Sequence, residues 1–139
     1  MVTQPNFVAE RGDQYRTDVP GAEHDQLWRL GTLLAAGIPV ALSTDAPFGA
    51  ADPWAAMRAA VDRRTPLGVV LNPVERISGR RALTLFLGSA TDPARPRTHR
   101  PGEPGDVCVL AASPQRVVDA LDADLVAATV IAGAVVFQR

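Results

Sequence analysis

The chain has 139 residues, 47% apolar and 21% charged, with a formal net charge of −1 at neutral pH; that is enough for one packed core plus an appendage, and the balance excludes a strongly electrostatic nucleic-acid partner. The lone Cys108 excludes an internal disulfide and a cysteine-based zinc cluster. With no run of eighteen apolar residues and no leader-type start, neither a membrane span nor a signal peptide is supported, and a cytoplasmic protein is expected.

In chain order, Val2-Thr3-Gln4-Pro5-Asn6-Phe7-Val8 is β-prone, with Pro5 marking an interruption or an end. A polar loop follows and carries Tyr15, a candidate to face a substrate. Glu23 to Ala36 places Leu27, Leu30, Leu33 and Leu34 with Trp28 at helical spacing, so one amphipathic helix is expected there, closed by Gly37 in a left-handed cap. Ile38-Pro39-Val40-Ala41-Leu42 is apolar without alternation and too short for a helix. It predicts a strand covered on both faces.

Strand, helix and doubly covered strand in succession point to a parallel α/β arrangement. Asp52-Pro53 is an N-cap followed by proline at the first helical position, with Trp54, Met57, Ala60 and Val61 as the apolar stripe behind it. Arg63 and Arg64 suit the C-terminal dipole of that helix. A further helix is expected from near Ser78 through Leu83, Phe86, Leu87 and Ala90. Residues 91–105 hold four prolines and two glycines without periodicity and read as a linker. Beyond it, residues 106–110, 125–130 and 134–137 predict strands, Pro114 to Leu121 a short helix, and Ala132-Gly133 a tight reversal. The C-terminal third is therefore a small, mostly antiparallel β unit.

Among candidate functional residues, Asp45 stands out. It follows Leu42-Ser43-Thr44 at the C-terminal end of the second strand, and Pro47, Phe48 and Gly49 lead away as a loop. Catalytic groups of parallel α/β folds gather at that end of the sheet, where a carboxylate serves as metal ligand or general base. An aspartate that merely caps its loop by accepting backbone N–H bonds fits the same spacing. His24 and His99 read as solvated surface, Cys108 as a small core residue, and Arg95, Arg97, His99 and Arg100 as a solvated basic cluster in a proline-rich segment.

The ordered set Gln4-Pro5, then Gly37 through Pro47, then Asp52-Pro53, then Ala59-Ala60-Val61-Asp62-Arg63 resembles the C-terminal part of family-3 metal-dependent amidohydrolases, the relatives of N-substituted formamide deformylase. The tail agrees, in Gly102-Glu103-Pro104-Gly105-Asp106-Val107-Cys108-Val109-Leu110 and Val126-Ala127-Ala128-Thr129-Val130-Ile131-Ala132-Gly133, with Gly105 where alanine is usual. The resemblance implies hydrolysis of amide-type C–N bonds by water activated at a divalent metal, commonly zinc, within a (β/α)8 barrel flanked by a β-sandwich. It implies that Asp45 touches the metal site and shuttles the proton of the attacking water.

The same resemblance shows what this chain lacks. The family's His-x-His pair, its bridging lysine or acid and its later histidines have no counterpart here, and all fourteen basic residues are arginine. A catalytic zinc needs about three protein ligands, and a complete barrel takes about 250 residues. The expected fold is α/β: a partial (β/α)8 barrel, its last two β/α units, over residues 1–92, a linker over 93–105 and part of a small β-sandwich over 106–139. The expected function is that of a C-terminal fragment of a metal-dependent amidohydrolase, inactive alone and binding no metal by itself. Its expected partner is the missing N-terminal part of the barrel or a second copy of itself, with a small-molecule substrate only in the completed protein and neither nucleic acid nor membrane. A non-catalytic self-associating remnant and an α/β binding module are the alternatives.

Overall fold

Two short strands, β1 (Val2–Thr3) and β2 (Ala41–Leu42), pair in parallel in a computed structural model that describes residues 1–139, with Val2 opposite Ala41 and Thr3 opposite Leu42. The ladder is extended by Ala41 N–H donating to Met1 O and Ser43 N–H to Thr3 O, at 2.9 and 3.0 Å. On its other edge β2 donates from Leu42 N–H to Leu85 O at 3.0 Å. Val40, Ala41 and Leu42 are all buried, as expected of a strand covered on both faces, but the strand is shorter than the expected Ile38 to Leu42, because Ile38 is exposed just after the Gly37 cap and pairing begins only at Ala41.

The β-prone start is shorter than its composition suggests. Thr3 ends β1, and a thirteen-residue helix, α1 (Asn6–Asp18), follows where a polar loop was expected. Pro5 opens this helix rather than interrupting a strand. Beyond Phe7 and Val8 the helix buries only Gly12, so it lacks the apolar period that would announce it. Its exposed face is supported by i,i+4 bonds, Thr17 Oγ1 to Asp13 O and Gln14 Nε2 to Asp18 Oδ2.

The helix expected over Glu23 to Ala36 is broken in two. A 3-10 turn spans Gly21–Gln26, Trp28 takes a positive φ of 48°, and only α2 (Leu30–Ala35) is regular. The cause is a buried charged network. Arg63 is fully buried and donates from Nε to Leu71 O, from Nη1 to Trp28 O and from Nη2 to Leu27 O. In a continuous helix the Leu27 and Trp28 carbonyls would accept from residues 31 and 32. Here Thr32 donates both its N–H and its hydroxyl to buried Glu75 instead. Burial lowers the Arg63 guanidinium to about 10, with the Glu75 charge acting in the opposite direction, so it stays cationic at neutral pH. Gly37 closes α2 as expected, at φ 72°, with Gly37 N–H to Leu34 O and Ile38 N–H to Leu33 O completing the cap.

Helix α3 (Pro53–Asp62) has the predicted cap: Asp52 Oδ1 accepts from Trp54 and Ala55 N–H at 2.9 and 3.1 Å. Helix α4 (Gly79–Thr84) starts at the expected Ser78 cap but stops before Leu87, which is exposed, and Gly88. Leu30, Val40, Leu42, Trp54, Met57, Ala60, Ala82 and Leu85 form the core with Val117 and Leu121 from the region of α5 (Pro114–Ala120). Strands β3 (Val107–Leu110), β4 (Val126–Ile131) and β5 (Ala134–Gln138) make the expected antiparallel sheet. Ala132 and Gly133, at φ 51° and 78°, form its two-residue turn, a type I′ geometry in which glycine carries no steric penalty. Val107, Val109, Ile131, Val135, Val136 and Phe137 are exposed on this sheet. No helix is long and apolar enough to cross a membrane.

Arg63→Leu strands the Leu27 and Leu71 carbonyls and leaves Glu75 without its buried counter-charge, so stability in urea should fall by about 3–5 kcal/mol. Arg64→Ala, at an exposed side chain, should change it by no more than about 0.5 kcal/mol; equal effects would contradict the role given to Arg63. Asp106 Oδ1 accepts from Ala132 N–H at 2.8 Å and Oδ2 from Arg97 Nη1 at 3.1 Å, and these bonds, the Ala132 one foremost, hold its carboxyl below the usual carboxylate range. Because the folded form is the more acidic, this support is complete above the usual carboxylate range and disappears as pH falls through the lowered value. The protection of the Ala132 and Gly133 amides, measured against their intrinsic exchange rate at each pH, should therefore fall on acidification, and Asp106→Asn should remove that acid-side dependence.

Candidate functional site

The parallel pairing puts the end of β1 beside the end of β2, so the start of α1 abuts the loop that carries Asp45. Asn6, in the first turn of α1, is buried and donates from Nδ2 both to Thr44 O at 3.1 Å and to Glu10 Oε1 at 3.0 Å. The same Glu10 oxygen accepts from Ala50 N–H at 3.2 Å. One turn of helix thereby grips the loop on both sides of Asp45. Arg11 adds a third hold, with Nη2 donating to Phe48 O at 2.9 Å and its guanidinium 4.0 Å from the Phe48 ring centroid. Phe7 meets Phe48 edge to face, centroids 5.6 Å apart.

Inside the loop the backbone is tightly wound. Asp45 has a φ of 57°, its N–H donates to Ser43 Oγ at 3.1 Å, and its carbonyl accepts from Phe48 and Gly49 N–H at 2.8 and 3.0 Å. The Asp45 side chain is exposed, and its carboxylate makes no hydrogen bond or ion pair within the chain. The cap that its spacing suggested is supplied instead by Ser43 and by Asp45's own main-chain carbonyl. None of the principal cavities is lined by Asp45. Its carboxylate faces an open surface.

The other candidates lie elsewhere. Tyr15 sits in the last turns of α1, about 13 Å along the helix axis from Asn6, against Trp28 with centroids 4.6 Å apart, so it packs on Trp28 away from the Asp45 loop. Trp28, expected on a helical stripe, holds that contact from the break between helices. His24 Nε2 bonds Val19 O at 3.0 Å. His99 lines an apolar cavity of about 510 Å³ between α3, α4 and β3 with Trp54, Phe86 and Cys108. Cys108, expected in the core, is exposed. Partial desolvation raises its thiol, which keeps it neutral and argues against a nucleophile. Arg95, Arg97 and Arg100 line a polar cleft of about 660 Å³ that also holds Asp92, Glu103 and Asp106, a mixed-charge lining rather than an anion site.

No group of three His, Cys, Asp or Glu side chains comes within metal-holding range. One exposed carboxylate does not hold a catalytic zinc, so this chain's residues do not by themselves fit such a metal. Asn6, Glu10, Arg11 and Phe48 were not identified from the sequence. The available signal was Pro5 at a helix start with Asn6 and Glu10 at i,i+4, but the polar helix hid it.

Residues 3–137 match the amidohydrolase family. No curated protein matches the chain. A crystal structure of an uncharacterized metal-dependent hydrolase from Pyrococcus furiosus is similar at 34% identity over 61% of this chain, with a TM-score of 0.48, and the chain spans 17% of that protein's length.

The loop's fit can be tested at Gly49, which is buried and where an added Cβ would lie 2.3 Å from Thr44 O and 2.5 Å from Asn6 Nδ2. Gly49→Ala should cost about 1–3 kcal/mol of stability and shift the Thr44 and Asp45 amide resonances. Gly21→Ala, with open space around it, should do neither. Matching behaviour of the two variants would contradict the packing described here.

Proposed function

The chain belongs to the amidohydrolase family, and from that premise we propose that it is the C-terminal part of a metal-dependent hydrolase of amide-type C–N bonds. In this reading β1 and β2, with the helices that follow them, are the last two units of a (β/α)8 barrel. The three-stranded sheet is part of a side β-sandwich. The observation that carries the reading is the Asp45 carboxylate: it stands at the C-terminal end of a parallel strand, on a loop held by α1, with no intramolecular bond to occupy it.

Such a carboxylate is a general base. As a water oxygen attacks the amide carbonyl carbon, Asp45 takes the proton released. When the C–N bond of the tetrahedral intermediate breaks, Asp45 returns that proton to the departing nitrogen, giving a carboxylic acid and an amine and leaving the carboxylate as it began. The finer reading makes the substrate an N-substituted formamide. The divalent metal, zinc in this reading, is held by donors outside this chain, with Asp45 bordering its site, and the isolated chain is inactive.

The exposed apolar residues of the C-terminal sheet support a requirement for a partner. The partner in this reading is the N-terminal part of the barrel, and a self-associating, non-catalytic remnant is the second reading that the same sheet favours. Both are separated by one experiment: the chain is mixed with the polypeptide encoded upstream of it, zinc and an N-substituted formamide. Hydrolysis should appear only in the mixture, and Asp45→Asn should lower kcat at least about a hundredfold. A folded assembly of both parts with no hydrolysis, or an Asp45→Asn variant as active as the parent, would contradict the proposal.

A further inference from the structure

Two unusual features lie next to each other at the Asp45 loop. Asp45 itself occupies the left-handed backbone region, uncommon for a non-glycine residue although aspartate enters it more readily than most. Asn6 Oδ1 is a buried acceptor with no donor. The amide orientation is nevertheless fixed, because Nδ2 faces two acceptors, Thr44 O and Glu10 Oε1, and a flipped amide would set oxygen against oxygen. The fold thus leaves one polar atom unsatisfied at this position while its amide nitrogen grips the residue before Asp45.

Glu10 completes the arrangement from a different direction. It is exposed, so it contributes little packing, yet Oε1 joins Asn6 Nδ2 to Ala50 N–H on the far side of the loop. Thr44 and Ala50 bracket Asp45, and both are tied to the same helical turn. We infer that Asn6 and Glu10 are positioning residues, a clamp by which α1 fixes the Asp45 loop in the conformation that presents its carboxylate. This rests on the reading of Asp45 as the proton-transferring group. A misplacement of such a group by about 1 Å lowers turnover by roughly two orders of magnitude.

The clamp is tested in the isotope-labelled 139-residue chain by amide hydrogen exchange at Ala50 and by the Asp45 amide-to-Hα coupling, which reads its backbone region. In Glu10→Ala, exchange at Ala50 should accelerate at least about tenfold and the Asp45 coupling should move away from its parent value, with amides of α3 and β4 unchanged. Glu10→Gln keeps an Oε1 acceptor and should match the parent in both readouts, a rescue that loss of charge alone would not give. Glu10→Ala behaving like the parent, Glu10→Gln loosening as much as Glu10→Ala, or a loosening spread to α3 and β4 would each overturn the clamp. These readouts need no turnover. A chain that passes them while the assembled protein fails to hydrolyse amides refutes the proposed function and leaves the clamp standing.

Discussion

The parallel pairing of β1 with β2 is the constraint on which everything else depends. Its register, Val2 with Ala41 and Thr3 with Leu42, brings both strands to the same end, so that the helix leaving one and the loop leaving the other emerge side by side. Only then does Asn6 reach Thr44 across thirty-eight residues of sequence. An antiparallel pair would send α1 and the Asp45 loop to opposite ends and separate the loop from the side chains that hold it. Leu85 O, accepting from Leu42 on the other edge, fixes β2 from both sides.

The opposite end of the layer is built differently. Helix α3 starts just after the Asp45 loop and ends at Arg63, about 15 Å further along its axis. There a buried guanidinium and a buried carboxylate take over backbone groups that a longer helix would have satisfied itself. Removing either partner leaves desolvated groups unpaired, which is why such networks are costly to break even where they add little net stability.

What could be read from the sequence follows from how local each signal is. The Asp52-Pro53 cap, the Gly37 closure, the Ala132-Gly133 turn and the doubly buried β2 depend on neighbours within a few residues, and all are present. The misreadings have two different causes. Helix α1 faces solvent over most of its length and therefore shows no apolar period, while the helix expected through Trp28 has the period but loses its backbone bonds to Arg63 and Glu75, residues 35 and 43 positions away from the carbonyl and the amide that they engage. Asp45 stands out in the sequence because a lone acid after a buried strand is a local pattern. Its supports, Asn6 and Glu10, do not, because their relation to it exists only in three dimensions.

The proposed chemistry requires the Asp45 carboxylate to meet the reacting amide. The most direct measurement is a crystal structure of the assembled protein, this chain with the rest of its barrel, bound to a hydrolytically inert amide analogue. A carboxylate oxygen of Asp45 should lie within about 2.6–3.2 Å of the attacking water or of the scissile nitrogen, with the Asn6 to Thr44 bond intact. An Asp45 side chain turned to bulk solvent, with the analogue seated on other residues, would contradict it.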